Sequence, residues 1–412
     1  MPCWGRSFPV RALAPVVVLV ACAARAEQPL ISQAETEPAH PEVQALGLHW
    51  TFSGQLVVNA NYNSSTMVVG SIPAFVQLKS DSTTGQFNIS PGNTFLQVSA
   101  APPPLGAVQL TAQYSMDFRS NAPYLNENAF LPLVRDLYLE LRWSRLRALV
   151  GQTSDVISPR ASASLNFYPL SFIPGDIGDY RPQLRLEWRQ PVTEIFEVVF
   201  QGEVAQAVQT FNVSGTVLAT QTGLPDFQGR VGLAFGPPTD KGPRFFEVGA
   251  AGHVGRRQAT VLPHCPDDPA RTVCQFASWS FVADGALRVT ASTLVEGEFF
   301  FGQLLGDYSG GINQTIDPKT NVPIRSRGGW VQVSQQLGPR WALHAGFGTD
   351  DPFDQDLASD ERNSNTAVFG NAIFTVVDGL RLGLELSWWR TGWVANPTAT
   401  AKRLELAVIY AF

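Results

Sequence analysis

Arg403-Leu404-Glu405-Leu406-Ala407-Val408-Ile409-Tyr410-Ala411-Phe412 ends the chain. Leu404, Leu406, Val408, Tyr410 and Phe412 share one parity, and Arg403 and Glu405 share the other. A strand sends alternate side chains to opposite faces, so one face of this segment is apolar and the other charged. The pattern recurs upstream. Leu137, Leu139, Leu141 and Trp143 oppose Asp136, Tyr138, Glu140 and Arg142, and Leu184, Leu186 and Trp188 oppose Arg185, Glu187 and Arg189. Leu382, Leu384, Leu386 and Trp388 oppose Arg381 and Glu385 in the same way. An arginine facing lipid at mid-bilayer costs about 2–4 kcal/mol, so in a membrane the charged parity faces inward, around a polar, wet lumen.

Composition agrees with a membrane protein that crosses by strands. Only 16% of the 412 residues are charged, against about a quarter in ordinary soluble chains. Mean hydropathy is nevertheless close to zero, because the apolar residues alternate with polar ones instead of forming blocks. The net charge is −6, which disfavours a nucleic-acid binder.

Sixteen strand-like segments follow from residue 48 onward: 48–60, 93–100, 106–118, 133–142, 145–152, 182–189, 195–208, 227–235, 244–254, 276–289, 292–304, 327–336, 340–348, 365–377, 380–390 and 402–412. Their connections alternate short and long. Trp143-Ser144, Gly338-Pro339 and Asp378-Gly379 are tight turns, whereas 61–92, 153–181 and 305–326 are long. Even strand number, short turns at one end and long loops at the other predict an all-β fold, a transmembrane antiparallel β-barrel of about sixteen strands. A cylinder of that size has room for water, whereas an eight-stranded one is filled by side chains. Trp143, Trp188, Trp341, Trp388, Tyr410 and Phe412 lie near strand ends, where aromatic girdles belong.

The start of the chain reads as a secretory signal over 1–26: Arg6 and Arg11, the apolar run Leu13 to Ala24, then Ala24-Arg25-Ala26. Leu19-Val20-Ala21-Cys22 offers a lipidation site as an alternative to cleavage after Ala26. Residues 27–46, polar and without period, read as a flexible periplasmic leader, leaving 47–412 as the barrel. Beyond the signal region only Cys265 and Cys274 remain. In an oxidising compartment they are expected to form a disulfide that stabilises its short loop by roughly 2–3 kcal/mol.

The inward parity supplies the candidate pore-lining and selectivity residues: Arg142, Arg147, Arg185, Arg189, Arg230 and Arg381, with Glu140, Glu187, Glu203 and Glu385. Rows of opposite sign facing each other across a lumen set up a transverse field. The expectation is that about half of these residues serve only to pair with one another. Arginines cluster from Arg142 to Arg230, beside the third long loop, which favours small anionic solutes, since an arginine fork matches a carboxylate. That loop holds Asp155, Arg160, Phe167, Tyr168, Asp176 and Asp179. The acidic segment Asp350 to Glu361 lacks EF-hand spacing and reads as a solvated loop, not a metal site. No catalytic signature, cofactor fingerprint or metal-ligand spacing is present, so a passive, non-enzymatic role is expected. A barrel-embedded hydrolase would need an ordered Ser–His pair near the lumen. A structural or adhesive barrel would work through its external loops.

Several stretches resemble known families. The terminal Phe412 resembles the closing residue of Gram-negative outer-membrane barrels, where it serves in assembly. Asp136 to Gly151, continuing through Gln152-Thr153, and Arg181-Pro182-Gln183-Leu184-Arg185 resemble the DcaP-like trimeric porins on either side of their constriction loop. The resemblance implies an outer-membrane homotrimer of sixteen-stranded channels, each narrowed by an inward third loop and passing small, often anionic organic solutes. The partners it implies are solutes, outer-membrane lipid and the barrel-assembly machinery.

Overall fold

A computed structural model describes residues 41–68, 73–78, 84–118, 131–165, 174–208, 220–239, 242–260, 265, 268 and 270–412. Sixteen antiparallel barrel strands run in chain order. They are β1 (Leu48–Asn63), β2 in two pieces (Gln86–Ser90 and Phe95–Ala101), β3 (Val108–Asp117), β4 (Leu133–Trp143), β5 (Leu146–Ser154) and β6 (Tyr180–Thr193). Next come β7 (Phe196–Ala205), β8 (Asp226–Phe235), β9 (Phe246–Thr260), β10 (Val273–Thr290) and β11 (Thr293–Gln303). The last five are β12 (Arg325–Leu337), β13 (Trp341–Pro352), β14 (Arg362–Val377), β15 (Leu380–Trp393) and β16 (Ala399–Ala411). Each strand pairs with the next, and β16 pairs with β1 through Ala407 opposite Asn59, which closes the cylinder.

All sixteen expected segments are strands, but most run further toward the long-loop end than parity alone placed them. β9 continues to Thr260 and β13 to Pro352. Gln86–Ser90, read as loop, pairs with the outer half of β1. Glu42–Ala45, read as the end of a flexible leader, is a short strand folded back on His49 to Thr51 and Leu48. Residues 1–40, with the expected signal and leader and Cys22, lie outside the described residues.

The two parities separate as the sequence requires. Leu139 and Leu186 are 61% and 59% exposed, whereas Glu140 and Glu187, next to them in the chain, are 4% and 2% exposed. Trp143, Trp188, Trp341, Trp388 and Tyr410 are exposed on the outward face near strand ends. Phe412 stacks on Tyr410, and its backbone pairs with Gly54. Cys265 and Cys274 are joined by a disulfide, buried against Ala259, Leu304 and Ile316.

The acidic segment after β13 is not the solvated loop expected. Asp350 accepts from Ser326 Oγ and, at 2.8 Å, from Ile312 N, while Asp356 takes both arms of Arg325 at 2.7 Å. These carboxylates hold the loop after β11 against the loop after β13. Glu361, 3% exposed, is pushed up to about 7 from 4.5 by burial, with Asp317 and Asp360 adding to the rise. Its carbonyl accepts the Val394 amide at 3.0 Å. A folded value above the unfolded one means that the native loop holds this proton more tightly. The contribution is complete below about pH 4.5 and is lost as pH rises through 7. Hydrogen exchange at Val394, corrected for intrinsic rate, is therefore expected to show protection falling from pH 4.5 to 8. Glu361→Gln flattens that profile.

Candidate functional site

The connection from β5 to β6 folds into the barrel and follows its inner wall. Val156 N donates to Glu203 Oε2 on β7 at 3.2 Å. Ile157 and Ile177 pack on Ala251, Val282 and Phe300 of β9, β10 and β11. Arg160 N donates to Glu298 of β11 at 2.9 Å, and Ala163 N to Gln332 of β12 at 2.7 Å. Ser164 Oγ and Leu165 N both donate to Glu385 of β15, at 2.9 and 2.7 Å, and Leu165 O accepts from Asn59 of β1 at 3.2 Å. The loop thus runs from β7 round to β1, held mainly by wall side chains that bond its backbone. Gly383 leaves the space that the Leu165 side chain fills; a Cβ there would meet it at 2.8 Å. Phe167 and Tyr168 lie outside the described residues.

Arg160 is the charged centre of this contact. Its guanidinium reaches Glu247 Oε2 at 2.7 Å, Asp284 Oδ1 at 3.0 Å and Glu296 Oε2 at 3.9 Å. Asp284 also receives both arms of Arg230 at 2.9 Å. A Cβ at Gly249 would strike Asp284 Oδ2 at 2.2 Å, so glycine on the inward parity of β9 makes room for this pair.

A second buried network lies nearer the long-loop end. Asp226 takes Arg257 in a fork at 2.8 and 2.7 Å and the Tyr308 hydroxyl at 2.8 Å. Arg181 forms an ion pair with Asp155 at 2.7 Å and lies 4.1 Å above the Tyr308 ring. Arg257 also reaches Asp307 at 2.5 Å. Asp307 and Tyr308 belong to the short helical turn Leu305–Tyr308, so the loop after β11 enters the barrel as well. The first long loop does the same: Met67 and Val76 pack on Trp330, Phe369 and Trp389.

These contacts change the expected picture of the lumen. The inward face is polar over most of β4 to β11 but carries apolar patches wherever an inner loop lands. Opposite charges pair along the wall: Arg142 with Glu140 and Arg189 with Glu187 on one strand, Arg185 with Glu203 on adjacent strands, and Arg230 with Asp284 two strands away. Arg142, Arg147, Arg185, Arg189 and Arg230 each take part in an ion pair. Arg185 is 3% exposed, bonded to Gln183 at 2.9 Å and Glu203 at 3.3 Å. Glu385 is 1% exposed beneath the loop, Arg381 is buried on the wall, and Asp176 receives Ser158 Oγ at 3.1 Å. The Asp179 amide donates to Asp155 at 2.9 Å.

Toward the short-turn end the arrangement differs. Arg142 and Arg147 both bond Glu140, and Arg189 bonds Glu187 at 2.6 Å. The side chains of Arg142 and Arg189 are 53% and 30% exposed, while those of Glu140 and Glu187 are 3% and 2% exposed. The carboxylates lie underneath and the guanidinium groups face water.

Ser–His contacts do occur on the wall. His253 bridges Ser280 and Ser278 at 2.7 and 2.8 Å, and His344 Nδ1 lies 2.8 Å from Ser334 Oγ. Serine catalysis needs a reachable hydroxyl and a group orienting the far ring nitrogen. His253 is 2% exposed under Tyr308 with both nitrogens on serines, and His344 Nε2 has no hydrogen-bond partner among the described residues.

Comparison with solved structures identifies the architecture. The outer membrane channel DcaP of Acinetobacter baumannii superposes with a TM-score of 0.68 at 16% identity, over 92% of this chain and 100% of that one. An anion-selective porin from Comamonas acidovorans gives 0.55 at 11% identity, over 89% of this chain and 100% of that one. OmpF of Salmonella typhi, in complex with daunomycin, gives 0.53 at 9% identity, over 90% of this chain and 100% of that one. This chain has the porin fold. No protein-family model and no curated protein matches the sequence, so the likeness is one of architecture.

Proposed function

We propose that the protein is a passive outer-membrane porin, assembled as a homotrimer, that passes small hydrophilic solutes and prefers organic carboxylates. The barrel with an inner loop supports the channel. A neighbour of the same fold was solved in a trimer form, and another is described as anion-selective, which fits both finer points. The observation that carries the anionic preference is the layering at the inner mouth: exposed guanidiniums of Arg142 and Arg189 over buried Glu140 and Glu187. A solute there meets cations before it meets carboxylates, and each fork offers paired donors to a carboxylate. Lipid surrounds the apolar face, and the barrel-assembly machinery inserts the chain. The described Ser–His contacts do not make a hydrolase site, so solute flux without turnover is expected.

Planar-bilayer recording tests this. Folded protein is expected to give conductance steps and an anion-selective reversal potential in a salt gradient. Arg142→Gln with Arg189→Gln is expected to lower the anion-to-cation permeability ratio about threefold, because two of the charges focusing the local field are removed. Arg185→Gln moves it less, since that side chain is covered. An unchanged reversal potential in the double variant would remove the selectivity assignment. Absence of conductance from folded protein would remove the channel itself.

A further inference from the structure

The most deeply buried arginines of this barrel are held by carboxylates, with one exception. Arg181, Arg230, Arg257 and Arg403 are each 2% exposed or less, and they meet Asp155, Asp284, Asp226 and Glu405 at 2.7, 2.9, 2.7 and 2.8 Å. Arg362, the first residue of β14, is equally buried at 2%. It forms no ion pair among the described residues, and its Nε and Nη2 have no hydrogen-bond partner there. Its backbone is fixed: the amide donates to Gln314 Oε1 at 3.0 Å, and the carbonyl accepts from Gln314 Nε2 at 2.8 Å.

Trp393 lies opposite Arg362 across the ladder of β14 and β15. It shares the inward parity of Glu385 and Thr391, and its indole Nε1 is likewise buried without a hydrogen-bond partner. The guanidinium carbon is 5.7 Å from the centre of the Trp393 ring and 4.4 Å from that of Phe75. Phe75 meets Trp393 edge to face, with 6.4 Å between ring centres. Three N–H donors therefore sit in one aromatic niche at the long-loop end. The first long loop covers it. Ala74 O accepts from Asn365 at 2.8 Å and Val76 N donates to Thr391 at 2.9 Å, one residue to either side of Phe75. Trp393 is half-buried, so the approach runs along its ring as Phe75 turns aside.

Buried donors without acceptors are rare in native proteins and call for a bound group. A buried cation without a counter-charge is costlier still. We propose that Arg362 and Trp393 bind the carboxylate of a monoanionic organic solute, with Phe75 as the cover of the site. The Nε and Nη2 edge of a guanidinium takes two carboxylate oxygens side by side, and the indole adds a third donor. Phosphate fits less well, because a second negative charge meets a single cation and Glu361, next in the chain, acts against it. The Phe75 and Trp393 rings receive the apolar body of the acid. Arg142 and Arg189 lie at the opposite mouth, so a solute entering from the long-loop side is held before it reaches them. The proposal deepens the carboxylate preference and rests on the channel reading.

The test uses the full chain folded in detergent and reads saturation-transfer NMR on the methyl protons of propionate, with propionamide as the neutral control. Arg142→Gln with Arg189→Gln is the background, which removes the inner-mouth arginines, and conductance is recorded on the same samples. A saturable propionate signal is expected there, and none from propionamide. Adding Arg362→Gln weakens binding about tenfold, the worth of a hydrogen bond to a charged group. Trp393→Phe keeps the ring, loses one donor and weakens binding about threefold. Arg362→Lys keeps the charge without the fork and falls between native and Arg362→Gln. Equal signals from propionate and propionamide overturn the proposal whether or not the variants fold. So does unchanged affinity in a folded Arg362→Gln variant, and so does phosphate displacing propionate at a lower concentration than acetate does. Conductance without saturable binding removes the site and leaves the channel; binding without conductance removes the channel and leaves the site.

Discussion

Replacing Arg160 with methionine is expected to destabilise the folded barrel by about 3–5 kcal/mol and to shift the channel toward cations. The cost arises because removing one member of a buried ion cluster leaves its partners charged and unpaired. Asp284 keeps the Arg230 fork at 2.9 Å, so the burden falls on Glu247 and Glu296. Among the described residues, Glu247 keeps the Arg244 amide at 2.9 Å and Glu296 keeps Gln332 at 2.9 Å as hydrogen-bond donors. The backbone bond from Arg160 N to Glu298 survives the substitution, so the loop loosens without leaving the wall. Arg160→Lys keeps the charge but not the fork, and an intermediate loss of about 1–2 kcal/mol is expected. Denaturant unfolding in detergent gives the stability, and reversal potential with current noise gives selectivity and loop motion. A methionine variant within about 1 kcal/mol of the native protein would mean that water reaches these carboxylates, contrary to the 8% exposure of the Arg160 side chain.

What the sequence made legible is whatever a period of two can carry. Parity sorted Leu137 from Glu140 and Leu386 from Glu385 because a lipid-facing charge is expensive, and the strand count followed from turn spacing. Parity cannot say where a strand ends once it rises into the loops. Arg257 and Asp226 were assigned to long loops, although both sit on strands and pair through a fork at 2.8 and 2.7 Å. Their network, with Asp307 and Tyr308, was missed for that reason. The inward path of the loops left a trace that alternation alone ignores. Val282, Phe300, Trp330, Phe369, Ile373 and Trp389 break the polar parity, and each is buried. Each packs in a patch that an inner loop covers. An apolar side chain on the wet face of a wide barrel is unfavourable unless something covers it, so these residues mark the landing sites. Parity is equally silent about cover at Arg185 and Glu385. They share the polar parity with Arg142, yet the loop covers them and leaves Arg142 open.

Asp226→Asn is expected to cost at least 3 kcal/mol and to release the segment after β11 from the barrel. Asp226 is fully buried and is the common acceptor for the Arg257 fork and the Tyr308 hydroxyl, with Arg181 at 3.6 Å. Neutralising it leaves three cation-bearing or donor groups around an amide that accepts through one oxygen only. Asp155 and Asp307 still hold Arg181 and Arg257 at 2.7 and 2.5 Å, so the loss is smaller than complete isolation of two guanidiniums. There is no slack to relax into: a Cβ at Gly255 would lie 1.9 Å from Asp226 Oδ1, and Gly255→Ala is expected to reproduce part of the effect. The decisive comparison is the cycle of Asp226→Asn, Arg257→Met and both together. Removing both partners leaves less uncompensated charge than removing either alone, so the double variant should be less damaged than the sum of the singles by about 1–3 kcal/mol. Hydrogen exchange at Gly310 N, which donates to Leu305 O at 3.0 Å, and at Gly178 N, which donates to Tyr308 O at 2.8 Å, reports whether the turn stays docked. Strict additivity with unchanged exchange would mean that the Asp226 carboxylate does not hold the loop, and that apolar burial of Leu305 and Ile312 alone keeps it inside.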